Sequence, residues 1–200
     1  MKKINKLVFG IGINDADYSV CSRLKGKRLW CPFYRKWMDM LRRCYSEKYQ
    51  KAKPTYIGCY VTFNWLTFSI FKAWMEQQDW QGKELDKDLL CPGNKLYSPE
   101  TCVFVDRKVN GFLLESNASR GEYPIGVIYQ KEKLTNKFKV LCRSVLTSKQ
   151  KYLGYFSTPE EAHQAWLAFK LEQAHLLAAQ QSDLRVAKAL IDRYENYKIS

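Results

Sequence analysis

Of the 200 residues only two are histidine and six are proline, and 20 Asp plus Glu face 33 Lys plus Arg. No apolar run approaches the roughly 18 residues of a membrane-spanning helix, so no membrane role is expected. The seven cysteines include no CxxC pair. That excludes a zinc ribbon of the usual spacing and gives no disulfide framework. Internal repeats and low-complexity tracts are missing too. The basic start leads only to the short apolar stretch Leu7 to Ile13, with no small-residue cleavage site behind it. A secretion signal is therefore not expected, and the cytoplasm is the expected location.

What is present is positive charge. The net charge is +13 and the pI about 9.4. A compact body with that excess repels itself unless it meets a polyanion, and nucleic acid is the usual one. The charge is also concentrated. Met1 to Lys53 carries fourteen Lys/Arg against four Asp/Glu, and Arg120 to Tyr152 carries eight against two. With 46% hydrophobic and 14% aromatic residues the chain can still bury a core.

Residues 1 to 30 mix charge, glycine and turn signals and are expected to form an extended arm with one short strand. In "CPFYRKWMDMLRRCYSEKYQ", Pro32 suits a first helical turn, and Trp37, Met40, Leu41 and Cys44 keep helical spacing. Arg35, Lys36, Arg42 and Arg43 fall off that stripe, as either a solvated face or a phosphate-facing one. "NWLTFSIFKAWMEQQDW" places Trp65, Phe68, Phe71, Trp74 and Met75 at three- and four-residue steps, the pattern of a core helix rather than a base-stacking platform. Two strands follow, around "KELDKDLL" and "TCVFV", then a short helix in "DRKVNGFLLES". "NASRGEYPIG" is small and polar, with a linker placed at 116–121. "GVIYQKE", "KFKVLCRSV" and "KYLGYF" are three short runs separated by polar turns, an antiparallel meander. "FSTPEEAHQAWLAFK" opens a helix with a hydroxyl cap, a proline and acids in its first turn, and Ala162, Ala165, Trp166 and Phe169 on one face. A last helix is capped near Ser182 or Asp183, with Leu184, Ala187, Leu190 and Ile191 inward. The two histidines, His163 and His175, are both placed on helix surface.

Three strands and a supporting helix with a basic sheet suit a DNA major groove. "PIGVIYQKEKLTNKFKVLCRS…KYLGYFSTPEEAHQAWLAFK" resembles the APETALA-type DNA-binding domain of plant ethylene-response factors over roughly residues 122 to 172. The shared features are the "GV" opening, a lysine–aromatic second strand ending in arginine, then "LG-aromatic", "TPEEA" and an aromatic in the helix. In that family the sheet touches DNA. The resemblance implies Arg143 as a base-contacting arginine, with Tyr152 and Tyr129 at contact positions. Lys131, Lys137, Lys139 and Lys151 are the phosphate contacts expected beside them. The family's arginine before "GV" is Ile125 here, and its second-strand tryptophan is Phe138, which leaves the base preference open.

In the centre, "LDKDLL…GNKLYSPETCVFVDRKVN" resembles the motif of phage-borne HNH-type homing endonucleases, many of which add an APETALA-type module. The resemblance spans about residues 30 to 112. It implies a Mg²⁺ site with Asp86 as the metal-binding acid and Asn110 as the helix ligand. Lys87 then stands where the family has its general-base histidine, and Asp88 is a second acid. A lysine titrates near about 10.4 and holds its proton at neutral pH. Loss of a general base costs about 10²- to 10⁴-fold. Cys44, Cys59 and Cys102 fall near this centre and could hold zinc with a fourth ligand, but their wide spacing carries little signal and buried free cysteine is the commoner case.

The expected fold class is α+β. An HNH-like ββα core with flanking helices would occupy 1–115, and a three-stranded antiparallel sheet, its helix and a C-terminal helix would occupy 122–200. The expected function is binding of double-stranded DNA, the sheet in the major groove and the degenerate HNH-like part on the backbone, without cleavage, as in a regulator or anti-host protein. The alternative is a Mg²⁺-dependent endonuclease using Asp86 and Asn110 with a non-histidine base. Target site, protein partners and oligomeric state are not legible in the sequence.

Overall fold

The computed structural model describes residues 7–114 and 122–197. Its architecture is α+β. The chain divides into two compact units, Met1–Val105 and Asp106–Ser200. That division falls before the expected 116–121 linker, which lies outside the described residues. The physical reason is the short helix Arg107–Leu113, whose Phe112 packs its ring edge-on against Tyr194 at 5.2 Å. Lys170 Nζ donates to the Phe112 carbonyl at 2.7 Å, so this helix belongs with the second unit.

In the first unit, strands β1 (Cys21–Leu24) and β2 (Lys27–Trp30) form an antiparallel hairpin. The expected arm with one strand is thus a two-stranded hairpin. Its two-residue turn, Lys25-Gly26, has φ of 48° and 76°. Two positive φ values are what matches a tight turn to the right-handed twist of its strands. Helix α1 (Pro32–Tyr45) follows as expected and buries Tyr34, Trp37, Met40, Leu41 and Cys44. After α2 (Glu47–Ala52), strand β3 (Tyr60–Val61) pairs in parallel with β5 (Leu96–Tyr97). Between them lie α3 (Phe68–Glu76) and β4 (Glu84–Asp86), and β4 pairs antiparallel with β6 (Val103–Val105). The aromatic stripe is core: Trp65, Phe68, Phe71 and Met75 are buried. Trp37 Nε1 donates to the Trp65 carbonyl at 2.7 Å, which satisfies the one polar atom this cluster would otherwise strand.

The second unit begins with α4 (Arg107–Leu113), capped by Asp106 Oδ1 on the Val109 N–H. Strands β7 (Val127–Tyr129), β8 (Phe138–Arg143) and β9 (Gln150–Phe156) form an antiparallel sheet in that order. Helix α5 (Pro159–Ala178) starts with a complete Thr158–Glu161 capping box, and α6 (Leu184–Glu195) with Asp183 accepting from the Arg185 N–H. Two expectations change here. The buried face of α6 is Val186, Leu190 and Tyr194, while Leu184 is 81% exposed: as the first residue after the cap it precedes the stripe that packs. His163 is fully buried rather than on the surface. Its ring stacks on Trp166 at 5.5 Å, and Nδ1 donates to the Ile125 carbonyl at 3.0 Å. Among the described residues no helix is long and apolar enough to cross a membrane.

Candidate nucleic-acid interface

The register of the three-stranded sheet sorts its side chains. Val140 and Cys142 are buried beneath the sheet, so Lys139, Leu141 and Arg143 alternate onto the opposite face. Their cross-strand partners share that face: Ile128 and Tyr155 flank Lys139, Tyr152 lies opposite Leu141, and Gln150 opposite Arg143. Strict alternation would put Tyr152 and Tyr155, three residues apart, on opposite faces. The register shifts between Val140 and Leu141, leaving Leu153 without a partner, and Gly154 adopts φ of 134°. This bulge returns both tyrosines to one side, with their rings edge to face at 5.6 Å.

The cations of this face rest on the aromatic rings. Lys139 Nζ lies 6.0 Å from the Tyr152 centroid, and Lys133 Nζ 4.0 Å from that of Tyr155. No Asp or Glu occurs in any of the three strands. Tyr155 and Lys133 were not among the residues expected from sequence. The only signal for them was the isolated glycine inside a strand, a mark of a bulge.

The remaining expected contacts are divided by the register. Lys151 lies opposite Cys142 and turns to the helix side, its Nζ 4.6 Å from the Phe169 centroid on α5. Tyr129 lies opposite Phe138, within an aromatic group that includes Tyr123. Lys137 approaches the Tyr129 ring at 6.0 Å. Lys131 is exposed in the β7–β8 turn. Arg143 ends β8, its Nε donating to the Ser148 carbonyl at 2.9 Å.

In the first unit the basic face of α1 is largely occupied within the protein. Lys36 Nζ donates to Glu84 Oε2 and to the Lys83 carbonyl, both at 2.7 Å. Arg43 Nη1 donates to the Leu85 carbonyl at 3.2 Å, and Arg42 pairs with Asp39 at 3.0 Å. Among the described residues only Arg35 of the four has neither an acid nor a backbone partner. Two of these cations therefore hold down β4, the strand that carries Asp86.

Around Asp86 the loop is closed on itself. Asp86 Oδ1 accepts from the Asp88 and Leu89 N–H groups at 2.8 and 2.7 Å. Lys87 is 4% exposed. Its Nζ donates to Asp88 Oδ1 at 2.6 Å and to the Asn94 carbonyl at 2.5 Å, and it lies 5.9 Å from the Tyr97 ring centroid. Asn94 bonds back to the Lys87 carbonyl and to both backbone groups of Leu96. A general base must reach the proton it removes, and Lys87 instead points inward and ties the loop together. The Mg²⁺ ligand set fits poorly here. Asp86 has one oxygen filled by backbone N–H groups and belongs to the first unit, while Asn110 on α4 belongs to the second. Among the described residues no group of three His, Cys, Asp or Glu side chains is placed to hold a metal. Burial pushes the Cys44 and Cys102 thiols up to about 12, so they are neutral packing groups near pH 7.

Comparisons with protein-family models, with curated proteins and with solved structures found no match, so the arrangement of side chains is what speaks for a function.

Proposed function

We propose that the protein binds double-stranded DNA without cutting it, the three-stranded sheet of the second unit lying in the major groove. The observation that carries this is the acid-free sheet whose face away from α5 gathers Lys139, Arg143, Tyr152 and Tyr155. A sheet of this size fits the major groove, with alternate side chains toward the bases. The tyrosines supply rigid contact area, and the lysines supply the charge that releases counterions from phosphate. The inward turn of Lys87 and the filled Asp86 oxygen speak against cleavage.

The test is fluorescence anisotropy with a labelled duplex pool, comparing wild type, Lys139→Gln/Tyr152→Ala and the first-unit control Arg35→Gln. The double variant is expected to bind at least about tenfold more weakly, since one good base or stacking contact contributes about 1–3 kcal/mol. Arg35→Gln is expected to change affinity about twofold at most. Equal binding by wild type and the double variant, or no duplex binding at low salt, would sink the proposal. Supercoiled DNA incubated with Mg²⁺ should stay closed with wild type; nicking lost in Asp86→Ala would restore the nuclease alternative.

A further inference from the structure

A second basic feature of the second unit lies apart from the tyrosine-bearing part of the sheet. Helix α4, the turn after β8 and helix α5 enclose a cleft of about 350 Å³ lined by Arg107, Lys108, Gly111, Arg143, Ser144 and Lys170, among others. Four of its side chains are cations and none is a carboxylate. Among the described residues no acid pairs with Arg107, Lys108 or Arg143.

The walls are held from behind. The Val145 N–H donates to the buried Gln173 Oε1 at 2.8 Å, which fixes the turn to α5. Ser148 N–H donates to the Ser144 carbonyl, and Arg143 Nε to the Ser148 carbonyl, each at 2.9 Å. Lys170 is seated 3.6 Å from the Phe112 ring centroid, with one hydrogen on the Phe112 carbonyl. Ser144 Oγ accepts from the Leu146 and Thr147 N–H groups, which leaves its own hydrogen to donate. At Gly111 an added Cβ would meet nothing within 4 Å, so the helix side of the cleft is bare. The lining thus offers donors and positive charge in a space large enough for a small ligand.

We propose that this cleft is an oxyanion site that takes a phosphate group. A bulk-solvated cluster of four cations gains nothing from being enclosed, because each desolvates the next and like charges repel. A tetrahedral dianion answers all four and uses the guanidinium and hydroxyl donors together. The phosphate could belong to a nucleic-acid backbone or to a free phosphorylated molecule, and the chemistry of the cleft is the same for both. This inference stands on the cleft itself and goes beyond the sheet-face proposal.

The experiment uses the full chain labelled with ¹⁵N and inorganic phosphate as the probe, titrated at constant ionic strength. Saturable shifts of the Gly111, Ser144 and Ser148 amides are expected in wild type. In Arg107→Gln/Lys108→Gln, both exposed positions, the same shifts should require at least tenfold more phosphate. Arg107→Gln alone serves if the double variant does not keep the wild-type spectrum elsewhere. No saturable shift in wild type, or equal titrations in wild type and variant, would overturn the site whatever DNA does. The source is assigned separately by the salt dependence of duplex binding. A slope lowered by about 0.9 per lost phosphate contact points to the backbone. An unchanged slope, or no duplex binding, alongside a lost phosphate response points to a free phosphorylated ligand.

Discussion

The two units carry similar side chains and use them in opposite ways. In the first, cations turn to partners inside the unit: Lys36 to Glu84, Arg42 to Asp39, Lys72 to Glu76, Lys83 to Asp79 and Lys87 to Asp88. In the second, Lys133, Lys137, Lys139 and Lys151 rest on aromatic rings. The difference is one of acid supply, since the segment from Arg120 to Tyr152 has two acids for eight bases. An exposed cation–π contact contributes about 0.5–1 kcal/mol, little enough to be exchanged for a phosphate. A buried ammonium with two hydrogen bonds is not released so cheaply. A count of charge therefore says that a polyanion is wanted, and the partners of each charge say which unit can meet it.

The comparison breaks most severely where the second unit holds its sheet against α5. Gly126 precedes β7 with φ of +84°, and a Cβ there would run into the Trp166 indole. Gly126→Ala combines a left-handed strain with overpacking and is expected to destabilise that unit by about 3 kcal/mol or more. Hydrogen exchange read by mass spectrometry should show protection lost across β7–β9 with β4 and α1 unchanged. Retained protection in β7–β9 would mean that the sheet does not depend on Trp166.

The first unit is tested at Lys87. In Lys87→Met the stem is kept and the two hydrogen bonds are lost, which strands the Asn94 carbonyl. Removing one partner of a buried polar pair costs about 1–3 kcal/mol, seen as a lower urea midpoint by tryptophan fluorescence. Duplex affinity should change by about twofold at most. A stable variant with weakened DNA binding would contradict the inward role of this lysine and make the first unit resemble the second.

Much of this organisation is legible in the chain. The stripe of α1, the meander and the Thr158 cap all follow from short-range patterns, and short-range patterns are what a sequence displays. The losses have a common origin in tertiary pairing. The Lys25-Gly26 hairpin looks like one more basic loop until its strands pair. The bulge at Leu153 reverses the alternation that would separate Tyr152 from Tyr155. His163 carries a polar label but sits on the apolar side of α5, and only the Ile125 carbonyl, distant in sequence, explains it. Lys87 was legible as a substitution in a familiar motif, while its direction depended on the Asn94 loop folding back over it.

The smallest expected effect concerns an ion pair of the second unit that does follow the first unit's habit. Asp183 caps α6 through the Arg185 N–H at 2.9 Å and meets the Arg185 guanidinium at 2.7 Å. The Arg185 hydrogen bond, ahead of a small opposing effect of burial, holds the Asp183 carboxyl below the usual carboxylate range. A depressed folded-state value means that stability is fully present above the unfolded value of about 3.9 and is lost as pH falls through the folded one. Since Asp183 and Arg185 are 35% and 49% exposed, solvent screens the charge, and the cap contributes most of the effect. Asp183→Ala is expected to cost about 0.5–1 kcal/mol at pH 7, and Asp183→Asn, which still caps, only a few tenths. Urea midpoints taken at pH 7 and again below the folded value separate the two contributions. The gap between wild type and Asp183→Asn should close in acid, while that between Asp183→Asn and Asp183→Ala should persist. A wild-type–Asn gap that survives acid would mean that the charge of Asp183 does nothing and that the cap alone holds the helix start.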